Sequence, residues 1–140
     1  GIDANWSDDL AKTRWRKLMW NIPFNGLSVV LDASTDRIIG SQPGRDLANQ
    51  LIAEVHAGAA ACGVEIDEKA IRATMEHTET MVPYDSSMRL DFLAKRPIEV
   101  EAIFGNPLRA IGERASEIAP SISMLYQQLA FFNEAICQDA

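Results

Sequence analysis

Lys17, Asn21 and Asn25 recur at i, i+4 and i+8. On an α-helix that spacing puts all three on one face, drifting by about 40° per step. An ammonium followed by two carboxamides in an otherwise apolar segment is costly to bury without partners. Such a row can hold a small polar ligand. The lysine donates to an anionic or carbonyl oxygen, and each carboxamide offers donors and an acceptor. A partly buried lysine would also have its pKa lowered towards the range useful for general-acid work. The plainer alternative is a solvated lysine, with the two asparagines satisfying a backbone bent at Pro23. Lys12, Arg14, Arg16 and Lys17 make a cationic patch in the same stretch. It reads either as a solvated face pairing with Asp8 and Asp9, or as an attractor for an anionic substrate or cofactor phosphate.

Other chemistry is sparse. The sequence has no GxGxxG, no P-loop and no HExxH. His56 and His77 stand apart from other ligand types at metal spacing, so no metal site is expected. Cys62 and Cys137 form no CxxC pair and are expected to be reduced thiols of a cytoplasmic protein. Ser86 and Ser87, and then Glu99, read by themselves as two successive helix starts.

The elements that must position these residues are helices. Strand-like alternation is nearly absent, apart from a short β-favouring run at 27–31. The first helix is expected to start near Ser7, to bend at Pro23 and to continue to about Val30. A second runs from about Pro43 to Cys62, with Leu47, Leu51, Val55 and Ala59 on one stripe and Gly63 as its stop. Its small residues at 57–61 leave room for close packing. A third starts near 66–68 and carries Ile71, Met75 and Met81, before a break at 83–87. A short helix follows from Ser87 to about Ala94. The next carries Val100, Phe104 and Ile111, with a kink or break at 105–107. Pro120 opens the last, whose stripe is Ile122, Leu125, Tyr126, Leu129, Phe132 and Ile136. The expected fold class is all-α, one compact multi-helix domain over residues 1–140.

Composition agrees with a globular chain. The 140 residues are 47% hydrophobic and 24% charged, enough to fold without a metal or disulfide staple. Thirteen Lys+Arg against twenty Asp+Glu give a net charge of −7, so no nucleic-acid partner is expected. The longest uncharged stretches, 18–31 and 118–133, are too short and too interrupted to span a bilayer, so no membrane partner is expected either. The acidic, polar start does not resemble a signal peptide, and Gly1 in place of Met suggests trimming.

Taken in order, the set Trp15-Arg16-Lys17-Leu18 with Asn21 and Asn25, Ser86-Ser87-Met88 with Asp91, and Ile98-Glu99-Val100-Glu101-Ala102-Ile103 with Gly105 resembles the C-terminal domain of ketopantoate reductase. The segment 45–63, with Glu54, is similar to that family's second helix. The resemblance covers about residues 8–135. It implies an all-α domain similar to the C-terminal domain of 6-phosphogluconate dehydrogenase. It also implies a separate N-terminal Rossmann domain, absent from this chain, that binds most of the NADPH. The implied reaction is hydride transfer to the C2 carbonyl of a small 2-oxo acid, ketopantoate, giving D-pantoate for pantothenate and coenzyme A synthesis. Lys17 matches the family's proton donor, and Glu99 the acid that orients or tunes it. Asn21 and Asn25 match the substrate hydroxyl and carbonyl contacts, and Ser87 the carboxylate contact. Glu101 departs from the family's usual Asp. Other readings are reduction of another branched 2-oxo acid, or a standalone helical binding or dimerisation module; a homodimer is a possible assembly. The 20–24 and Met88 regions are expected to be exposed where a second domain would pack.

Overall fold

The computed structural model describes residues 2–80 and 85–139, with side chains from residue 9 onward. Among the described residues there is no strand, in agreement with an all-α fold. The helices are α1 (Ile2–Trp20), α2 (Gly26–Val30), α3 (Thr35–Gly40), α4 (Gln42–Ala61), α5 (Glu68–Thr80), α6 (Ser87–Leu93), α7 (Asn106–Ile111), α8 (Ala115–Ile118) and α9 (Pro120–Asp139). Ser7 lies inside α1 and does not cap it, because the helix already runs from Ile2. Met81 and Pro83 lie outside the described residues.

A widened π-helical turn, Asn21–Asn25, joins α1 to α2, and a second, Glu101–Gly105, leads into α7. The first contains a proline and the second is followed closely by one. Pro23 has no N–H for the carbonyl of Met19, and Pro107 has none for that of Ile103. The helix accommodates each loss by widening and does not break. The two widened turns pack against each other.

The core gathers Trp15, Met19, Ile22 and Phe24 from the first helical rod, Leu51, Ile52 and Val55 from α4, Phe104, and Leu125 and Leu129 from α9. The β-favouring run at 27–31 is helical as far as Val30, because Leu27 and Val29 bury there and burial outweighs their local preference. Leu47 is exposed, and Ala48 and Ile52 complete the buried face of α4 in its place. Gly58 receives Ile111 of α7 and Trp15, so side chains fill the gap left by the small residues. Gly63, at φ +79°, ends α4 as expected: its amide bonds Ala60 O and the Val64 amide bonds Ala59 O. Ile22, Phe24 and Met88 are buried within the domain, which corrects the expectation that they form an exposed face.

Polar links tie distant segments of the chain. The Glu54 carboxylate accepts the Ser121 and Ile122 amides at 2.8 and 3.0 Å, capping α9 from α4. Asn133 Oδ1 accepts the Ile98 amide at 2.9 Å. The Trp20 indole donates to Thr78 Oγ1 at 3.2 Å, joining α1 to α5.

Candidate active site

The end of α1 and the start of α7 form the walls of a cleft of about 610 Å³. Arg14, Lys17 and Asn21 line one wall, and Ala102, Ile103 and Asn106 the other, with apolar surface from Trp15, Leu18 and Pro107. Lys17 is exposed, so the expected partial burial does not hold. Among the described residues neither Lys17 nor Arg14 makes an ion pair, which leaves two cations one helical turn apart facing the cleft.

Asn25 turns inward and is buried. Its Nδ2 donates to Asn21 Oδ1 at 3.3 Å, and its Oδ1 accepts the Met88 amide at 3.2 Å. The widened turn helps, because it brings residues four apart closer to alignment than an α turn does. Beside it, Ser28 donates to Asn25 O at 2.9 Å and lies 2.6 Å from Ser86 Oγ. With the Ser28 proton used, the Ser86 hydroxyl donates to Ser28 and accepts the Arg89 amide at 3.1 Å as the cap of α6. Arg89 completes the join by donating to Ser28 O and pairing with Asp32. This join fixes Ser87, exposed at the first position of α6, next to the Asn25 anchor.

Glu99 occupies a neighbouring depression with Glu101, Asn133 and Glu134, which meets the first cleft at Ala102. It is exposed, and among the described residues no ion pair joins it to Lys17. The structure therefore brings Lys17 and Asn21 to one cleft, ties Asn25 to Asn21 from the buried side, sets Ser87 beside Asn25, and keeps Glu99 one depression away.

Sequence spacing missed a second polar group. Glu101 accepts from Tyr126 at 2.6 Å and pairs with Arg109 at 2.7 Å, and Arg109 also donates to Asn106 Oδ1 at 2.6 Å. The Tyr126 hydrogen bond, and then Arg109, hold the Glu101 carboxyl below its ordinary pKa, while Glu101 pushes the Tyr126 phenol up. The pair lies over the backbone at Gly105, where a Cβ would meet Glu101 and Arg109. The available signal was Glu101 and Arg109 flanking that glycine. Among the described residues no group of His, Cys, Asp and Glu could hold a metal, and no helix is long and apolar enough to cross a membrane. Cys62 and Cys137 are free thiols, and burial raises the Cys62 pKa.

The family described as "Ketopantoate reductase PanE/ApbA C terminal" matches residues 9–133. The chain belongs to this family. A 2-dehydropantoate 2-reductase from Nostoc sp. is 45% identical to this ketopantoate reductase domain over 133 residues, which are 95% of this chain and 41% of the relative. The crystal structure of 2-dehydropantoate 2-reductase from Methylococcus capsulatus superposes with a TM-score of 0.79 at 33% identity, covering 89% of this chain and 40% of that one. A dimeric ketopantoate reductase from Staphylococcus aureus shares the fold, with a TM-score of 0.80 at 24% identity over 89% of this chain and 44% of its own. The chain spans about two-fifths of the length of the curated relative and of the Methylococcus structure.

Proposed function

We propose that this chain is the substrate-binding and proton-donating part of an NADPH-dependent 2-dehydropantoate 2-reductase, reducing ketopantoate to D-pantoate for pantothenate and coenzyme A synthesis. The observation that carries the reading is the Lys17 ammonium, unpaired among the described residues, beside Asn21 in a concave cleft of a ketopantoate reductase domain. The described residues contain no strand, and the sequence has no glycine-rich dinucleotide motif, so NADPH binding is assigned mainly to a domain outside this chain. When bound, the reduced nicotinamide supplies the hydride.

Lys17 does the acid work. As the C2 carbonyl carbon is reduced, the electron pair of its C–O π bond moves onto oxygen. The ammonium stabilises that charge and transfers one proton from Nζ, leaving a hydroxyl and a neutral amine that solvent reprotonates. Asn21 donates to the substrate oxygens, and Asn25 acts through Asn21. The exposed Ser87 hydroxyl serves the substrate carboxylate. Glu99, unpaired among the described residues, is the carboxylate available to orient Lys17. The exposed Met124 and Phe131 of α9, and the dimeric Staphylococcus relative, support a homodimer. A cytoplasmic location is part of the proposal, in keeping with the two free thiols.

The test is NADPH oxidation by the full-length gene product, with ketopantoate beside other 2-oxo acids. Wild type should favour ketopantoate, and Lys17→Ala should lower kcat by about 10²–10⁴-fold. Preference for a different 2-oxo acid would move the substrate, and unchanged turnover in the variant would remove Lys17 from the chemistry.

A further inference from the structure

The orientations of the two cleft asparagines are fixed by chemistry. The Met88 amide can only donate, so the atom of Asn25 facing it is the oxygen. The other end of Asn25 is then NH₂, and the Asn21 atom it meets must be oxygen. Arg109 also can only donate, so the Asn106 atom it meets is oxygen. Both cleft asparagines thus have one acceptor site engaged, and among the described residues their NH₂ groups have no partner. Arg14 and Lys17 add further donors, so donors dominate what these four side chains can offer the cleft.

We infer that Asn106, oriented by Arg109, is a further ligand-binding residue: its NH₂ donates, together with Arg14, to an acceptor-only anionic group, a carboxylate or a phosphate. The assignment deepens the reductase reading and rests on it for the identity of the ligand. Arg109 is a positioning residue in this scheme. Glu101 and Tyr126 hold its guanidinium, and Gly105 leaves room for it.

Asn106→Asp separates binding from structure. The aspartate keeps an oxygen for Arg109, and its charge faces that guanidinium, so a purely structural role predicts a maintained Tm and unchanged kinetics. A donor role predicts loss of binding, because a carboxylate replaces the NH₂ that faces the anion. In the full-length gene product we expect KM to rise roughly tenfold or more with Tm maintained. A rise confined to ketopantoate assigns the site to the substrate carboxylate, and one confined to NADPH assigns it to a phosphate. Arg109→Met should raise the same KM without lowering kcat, with partial rescue in Arg109→Lys. Both KM values within about twofold of wild type in Asn106→Asp would overturn the inference. If the gene product reduces no 2-oxo acid, the reductase reading fails separately. Calorimetric titration with oxalate and inorganic phosphate then decides: binding lost in Asn106→Asp supports the donor site, and binding that is absent or equal in both proteins overturns it.

Discussion

Asn25 Oδ1 accepts the backbone amide of Met88 at 3.2 Å across a separation of 63 residues, and through Asn25 that amide dictates which way Asn21 faces. A contact at the start of α6 thereby sets the hydrogen-bonding character of a cleft beside α1.

Asn25→Ala leaves the Met88 amide without its partner. The expected loss is about 1–3 kcal/mol, measured by chemical denaturation. Asn25→Asp keeps an acceptor for Met88 but sets a carboxylate oxygen against Asn21. Asn21 should turn its NH₂ inward and its oxygen to the cleft, so KM for an anionic substrate should rise. Unchanged KM in that variant would detach Asn21 from substrate binding.

Gly26→Ala sets a helix-propensity gain of about 1 kcal/mol against a collision. The added Cβ would stand 2.5 Å from Leu125 Cδ2 and 2.9 Å from Phe104 Cζ, both in buried side chains. Overpacking of this kind costs about 1–3 kcal/mol, so the substitution should lower Tm. A raised Tm would mean that α9 yields at Leu125.

Glu54→Ala removes the acceptor for two amides at the first turn of α9, and Glu54→Gln keeps one neutral oxygen. The alanine variant should lose about 1–2 kcal/mol and the glutamine variant less. Equal losses would show that charge, rather than the hydrogen bonds, holds this end of the helix.

Acid should weaken the domain through Asp67 and Glu101. The Asp67 carboxylate accepts the Lys69 and Ala70 amides at 2.7 and 3.2 Å, and the Ala70 and Lys69 hydrogen bonds lower its pKa. A group depressed in the folded state stabilises it above the unfolded pKa, and that contribution disappears as pH falls through the folded value. Tm should therefore drop on titration below about pH 4. Asp67→Asn, which still caps the helix, should flatten that slope. An unchanged slope would assign the acid response to other carboxylates.

Much of this was legible in the sequence, because it was written in local periodicity. Pro120 and the Ile122, Leu125, Leu129 stripe mark α9, and Gly63 marks the end of α4. The Lys17–Asn21 face follows from spacing alone. Helices α3 and α8, of six and four residues, are too short to show a period. The orientation of Asn21 and Asn106 was also hidden, since it depends on Met88 and Arg109 and on two widened turns. Helical spacing can nominate a face, but it cannot say which atom of a carboxamide remains free.

The cap on α9 means that this helix does not define its own beginning. Its first turn contains no acidic residue, and its amides are satisfied from α4, 67 and 68 residues away in sequence. A peptide cut from this region would carry the apolar stripe but not the carboxylate that starts the helix, and its first turn would fray. Where α9 begins is a property of the assembled domain, settled only when two distant stretches of chain have met.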